Sequence, residues 1–98
     1  KNILKFKDID LDYKKRIVKV EDESISLTYK EFELLYYLLE NKNIVLSRDV
    51  ILNRIWDYGY EGETRTVDVH IKRLREKLSA GEQWKIETVW GVGYKIEK

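Results

Sequence analysis

Residues 65–78, RTVDVHIKRLREKL, decide the reading of this chain. Wound at 100° per residue, Val67, Ile71, Leu74 and Leu78 fall within about 60° of one another, a buried stripe of ordinary helical width. Opposite that stripe fall Arg65, Val69, Lys72, Arg73 and Glu76. Thr66, His70 and Lys77 lie on one flank, and Asp68 and Arg75 on the other. The segment predicts a helix that is capped by Thr64 and runs to about Leu78. One face is core, and the other carries guanidinium, ammonium, hydroxyl, imidazole and a solvent-facing valine.

Working toward the N-terminus, a second helix is predicted. Ser47 caps it, Asp49 suits its first turn, and Ile51, Leu52, Ile55 and Trp56 are its buried candidates. It ends before 57–63, where two glycines and polar residues break the period. An earlier helix should span about Tyr29 to Glu40. Thr28-Tyr29-Lys30-Glu31 reads as a capping box, with Leu27 and Phe32 as its hydrophobic staple. Its apolar residues nearly encircle it, so it must be covered on more than one side. Asn41 or Asn43 is a suitable left-handed stop. The first 27 residues alternate with period two: Ile9, Leu11 and Tyr13, then Val18 and Val20, then Ile25 and Leu27. With polar breaks at Lys14-Lys15 and Glu21-Asp22-Glu23, this predicts a small antiparallel meander.

Working toward the C-terminus, residues 85–97 read as a β-hairpin, with Trp90-Gly91-Val92-Gly93 as the turn. Strands, three helices and a hairpin make an α+β domain. The 98 residues are one domain's worth, with 43% hydrophobic and 38% charged residues. The longest apolar run, Leu34 to Leu39, is far below the roughly 18 residues of a membrane span. No cysteine is present, which excludes a disulfide framework, a thiol nucleophile and a cysteine metal site. The chain starts at Lys1 without a methionine, as expected of a fragment, and shows no signal peptide at its start.

Net charge is only +1, but it is unevenly placed. Nine Lys/Arg and nine Asp/Glu cancel between Lys1 and Val45, whereas 65–77 holds five basic and two acidic residues. A concentrated basic element on a neutral body is a footprint of nucleic-acid binding, and it also fits a merely solvated helix face. The residue types sharpen the first alternative. Arg can grip guanine O6 and N7 with two hydrogen bonds, and Val69 can touch a thymine methyl or pack on a neighbouring loop. Lys72 and Lys77 suit phosphates as mobile point charges. Asp68 is expected to pair at helical spacing with Arg65, Lys72 or Arg75, and Glu76 to pair with Arg73 or Lys72 or else to accept from a cytosine amine. The hairpin tip can meet an adjacent minor groove, with Gly91 and Gly93 allowing the tight turn and close backbone approach. Trp90 and Tyr94 then pack on sugar and phosphate, or else close the core.

These residues together resemble the effector domain of the OmpR/PhoB response regulators. The likeness rests on 65–78, on Thr88-Val89-Trp90-Gly91-Val92-Gly93-Tyr94, on Leu27 to Leu35, and on Ser47-Arg48 through Ile55-Trp56. It covers nearly the whole chain and implies a winged helix-turn-helix spanning 1–98. That fold has a four-stranded antiparallel N-terminal sheet, three helices and a C-terminal wing. The third helix is implied to lie in the major groove. The expected DNA-binding set is Arg65, Thr66, Val69, His70, Lys72, Arg73, Arg75 and Lys77, with Thr88, Trp90 and Tyr94 from the wing. Asp57, Tyr58, Gly59, Tyr60, Glu61, Gly62 and Glu63 are expected to face RNA polymerase. The resemblance further implies a bacterial, cytoplasmic regulator whose N-terminal receiver domain is absent here and is phosphorylated by a sensor kinase. It also implies a homodimer on tandem direct repeats of double-stranded DNA, with no membrane partner. One position departs from the family pattern. Many relatives carry Arg where Trp90 stands, and that Arg enters the minor groove. Either the wing meets sugars through the ring, or the contact is weak and Lys95 partly substitutes.

Two other classes remain to be weighed. The same face would suit a protein partner, and salt dependence separates that from DNA. An enzyme has little support: His70 is the sole histidine, no carboxylate pair has an evident pocket, and Gly91-Val92-Gly93 is no phosphate loop. No cofactor or metal is expected.

Overall fold

The first sheet is built by alternation. In this computed structural model, which describes residues 3–56, 64–78 and 83–97, β1 (Ile3–Phe6), β2 (Ile9–Asp12), β3 (Ile17–Val20) and β4 (Glu23–Ile25) pair antiparallel in chain order. The register aligns Phe6, Ile9 and Val20 in one buried row. Leu4, Leu11, Val18 and Ile25 make the next row on the same face. The other face carries Lys5, Asp10, Lys19 and Ser24 across the strands, so a one-residue slip would bury charge. Glu21 and Asp22 both take positive φ, 53° and 67°, as a two-residue turn between right-twisted strands requires.

The chain then enters α1 (Tyr29–Glu40) through the expected capping box. The Glu31 amide donates to Thr28 Oγ1 at 3.3 Å, and the Thr28 amide donates to Glu31 Oε1 at 2.9 Å. Phe32, Leu34, Leu35, Leu38 and Leu39 are all buried because this helix packs against two other helices, β1 and the C-terminal sheet. It closes at Asn41, whose side chain donates to the Tyr37 carbonyl at 2.9 Å, and the left-handed residue is Asn43, at φ 69°.

β5 (Leu46–Ser47), α2 (Arg48–Trp56) and α3 (Arg65–Leu78) follow. Ser47 Oγ accepts from the Val50 amide at 3.1 Å, the predicted cap. Ile51, Leu52 and Ile55 are buried and Trp56 is half-buried. The α3 stripe of Val67, Ile71, Leu74 and Leu78 is buried as its spacing requires. The hairpin of β6 (Lys85–Val89) and β7 (Gly93–Glu97) completes the domain.

β5 was not anticipated. It pairs with β7, Leu46 to Tyr94 and Ser47 to Gly93, so the wing is a three-stranded sheet ordered β5-β7-β6. Gly93 serves that approach, because a Cβ there would lie 2.0 Å from the Leu46 carbonyl oxygen. Gly91 serves the turn, at φ 79° with open space around it. The predicted polymerase-facing residues 57–63 lie outside the described residues.

Candidate nucleic-acid interface

The outer face of α3 is presented on a rigid floor. Beneath it sits the buried stripe, and above it Arg65, Val69, Lys72, Arg73 and Glu76 are exposed. Val69 is 44% exposed, an unusual place for a β-branched apolar side chain on a helix. Lys72 and Arg73 make no ion pair with any described residue. Thr66 and His70 are half-buried on the flank. The His70 ring meets Trp56 of α2 edge-on, with centroids 4.7 Å apart. Its Nδ1 lies 3.0 Å from the Thr66 carbonyl, which only accepts, so Nδ1 is the donor.

Other members of the predicted set are held by the fold. Asp68 pairs across helices rather than along its own. Arg48 Nε donates to Asp68 Oδ1 at 2.8 Å, and the Tyr94 hydroxyl donates to the same oxygen. Burial works against the Asp68 carboxylate, but those two hydrogen bonds and the Arg48 charge outweigh it and hold its pKa below the ordinary value. The three groups tie α2, α3 and β7 together at one point. Tyr94 is therefore a core residue, 5% exposed, with its hydroxyl occupied.

Arg75 crosses from α3 to the wing. Its Nη2 donates to the Ile86 carbonyl and to Thr88 Oγ1, both at 2.7 Å, and its Nε also reaches that carbonyl at 3.2 Å. Thr88 thus receives Arg75 and fixes the wing's tilt. Lys77 reaches the N-terminus of α1 instead of standing as a mobile charge. Its Nζ lies 2.7 Å from Glu31 Oε1, and Glu31 is the one buried acidic residue described. Burial opposes the charge on Glu31, but the bonds from Lys77 and the Thr28 amide prevail and lower its pKa.

At the wing tip, Trp90 is 85% exposed and Val92 49%. The Val92 amide closes the turn on the Val89 carbonyl at 2.9 Å. Lys95, the proposed substitute for a minor-groove Arg, is bound to Glu97 at 3.0 Å.

Three helices flanked by a sheet whose hairpin is tied to the last helix through Arg75 define a winged helix-turn-helix module. The family model described as "Transcriptional regulatory protein, C terminal" matches residues 22–96, and the chain belongs to that family. Among its relatives is the transcriptional regulatory protein ResD of Bacillus subtilis (strain 168), 46% identical over 99% of this chain. The chain spans 42% of that relative's length. Of solved structures, the response regulator DrrB of Thermotoga maritima, an OmpR/PhoB homolog, superposes with a TM-score of 0.87 at 32% identity. That superposition covers 100% of this chain and 45% of DrrB. The DNA-binding domain of Klebsiella pneumoniae RstA, in complex with the RstA box, gives 0.88 at 29% identity, covering 99% and 98% of the two chains. Among the described residues no helix is long and apolar enough to cross a membrane, and no group of three His, Cys, Asp or Glu is placed to hold a metal.

Proposed function

We propose that this chain is the DNA-reading output domain of a two-component response regulator, controlling transcription by setting α3 in the major groove of duplex DNA. The observation that carries the reading is the outer face of α3. Exposed Arg65, Val69, Lys72 and Arg73 stand on a buried stripe that is itself fastened to α2 and the wing. The family and the RstA complex support it. Arg73 and Arg65 are the base-reading candidates, Val69 the thymine contact, Lys72 a phosphate contact, and Thr66 and His70 contacts at the flank. Thr88, Arg75, Lys77 and Tyr94 act behind the interface, since each is engaged within the protein.

The wider regulator follows the same reading. A receiver domain phosphorylated by a sensor kinase controls dimerisation on tandem direct repeats, and residues 57–63 face RNA polymerase in the bacterial cytoplasm. Changing Tyr60 is expected to spare DNA binding and lower transcription.

Selection from a random pool of duplexes, with affinity repeated at two salt concentrations, tests the reading. Enrichment of a short motif, with log K falling against log salt at a slope of roughly −4 to −5 for about 4–6 phosphates, is the expected result. Binding without enrichment removes the base-reading roles of Arg73 and Val69. No binding at low salt, by this chain or by the phosphorylated full-length protein, overturns the proposal in favour of a protein partner.

A further inference from the structure

The wing is electrically neutral. Between 85 and 97 the only cations are Lys85 and Lys95 and the only anions Glu87 and Glu97. All four are paired: Lys85 Nζ lies 3.1 Å from Glu87 and 3.9 Å from Glu97, and Lys95 Nζ lies 3.0 Å from Glu97. No unpaired charge of the wing strands remains to seek a phosphate or the negative potential of a narrow groove. Yet its tip is rigidly presented. Arg75 clamps β6 to α3 through Ile86 and Thr88, β5 flanks β7 on the other side, and the turn is closed at Val92. On that stage stands an indole that is 85% exposed, beside a valine that is 49% exposed. Trp84 is 2% exposed and hydrogen-bonded to Asp8, and Trp56 packs on His70. Trp90 is thus the one tryptophan whose ring the fold leaves exposed.

We propose that Trp90 is a specificity-determining residue that reads the minor groove flanking the α3 site without using charge, favouring A·T over G·C pairs there. This rests on the DNA-binding reading above. An indole has one donor, Nε1–H, and no acceptor. In the minor groove A·T pairs offer only acceptors, adenine N3 and thymine O2, whereas a G·C pair adds the guanine 2-amino donor at the groove floor. A donor set against a donor is repelled, and the amino group also takes the space the ring edge needs. The ring face and Val92 supply apolar contact to deoxyribose, as minor-groove wedges do. Because the contact is neutral, it adds affinity without releasing a counterion.

The test uses the 98-residue chain and a duplex carrying its selected motif. Each pair just outside the α3 footprint is made in turn A·T, G·C and inosine·C, the last lacking the 2-amino group while keeping the major-groove acceptors of G·C. Wild-type protein is expected to bind A·T and inosine·C alike, and G·C about tenfold more weakly, at one or two positions. Trp90→Ala is expected to bind all three alike, near the wild-type G·C level, with an unchanged salt slope. Acrylamide quenching of the exposed tryptophan is expected to fall when DNA is added. Trp90→Ala keeping the wild-type A·T preference, or quenching that is unaltered in the complex, overturns the proposal while leaving DNA binding intact. A salt slope reduced by about one in Trp90→Ala overturns its neutral character. Failure of the wild-type chain to bind any duplex removes the parent reading as well.

Discussion

Two stretches of α3 carry similar side chains and use them oppositely. Lys72 and Arg73 stand exposed with no described ion-pair partner, whereas Arg75 and Lys77, a few residues on, are bonded to the wing and to α1. Helical phase decides which. Arg75 sits on the Asp68 side, next to β6, and Lys77 on the opposite flank, next to the N-terminus of α1. A basic helix is therefore not a uniform basic surface. Its free charge is what remains after neighbouring elements have taken their share, and that remainder lies in the middle of the helix.

Five substitutions break or sharpen this contrast. The largest effect is expected from Leu74→Ala, which removes the floor common to both stretches. A loss of about 2–5 kcal/mol in urea unfolding is expected, and a loss under 1 kcal/mol contradicts its place in the core. Arg73→Ala should cost about 1–3 kcal/mol in binding at a matched site and little at a scrambled one, with unfolding unchanged. Equal losses on both DNAs would remove its base-reading role. Arg75→Ala is the counter-case: it should lower stability by about 1 kcal/mol and weaken matched and scrambled DNA together, because what it loses is the wing's attachment. The smallest and sharpest comparison is Lys72→Ala against Lys77→Ala. The first should reduce the salt slope by about 0.9, and the second should leave it unchanged. A reduced slope for Lys77→Ala would show that its bond to Glu31 yields to phosphate.

The Glu31 end of that bond has a pH signature. The folded pKa lies below the unfolded value of 4.5, so its stabilisation is fully present above about pH 4.5 and is lost as pH falls through the depressed value. Thermal unfolding of Glu31→Gln should be less stable than wild type at pH 7, and the gap should narrow in acid. A gap constant from pH 7 to pH 3 would assign the loss to packing and capping rather than to charge.

The contrast along α3 also marks where sequence reading stops. The capping box at Thr28 and Glu31, the Ser47 cap and the stripe from Val67 to Leu78 are local and periodic, so they are legible in a single chain. The exposed face of α3 follows from the same periodicity. Asp68 shows the limit. Helical spacing offers Arg65, Lys72 and Arg75 as partners, but its actual partners, Arg48 and Tyr94, lie 20 and 26 residues away. Lys77 and Glu31 are 46 residues apart. Such pairs depend on how elements cross, which no spacing rule records. β5 escaped because two residues are too few to display a period, and only its pairing with β7 makes it a strand.

That pairing has a consequence in time. Leu46 lies ahead of the second helix, while Tyr94 emerges 48 residues later, and the Asn43 amide likewise waits for the Ile96 carbonyl at 2.7 Å. During synthesis all three helices are made before β7 exists, so Leu46, Asp68 and Arg48 have their sequence but not their shared partner, Tyr94. The seat of α3 is therefore complete only when the last strand arrives. A chain truncated short of Gly93 is expected to be helical yet unable to hold α3 at a fixed angle.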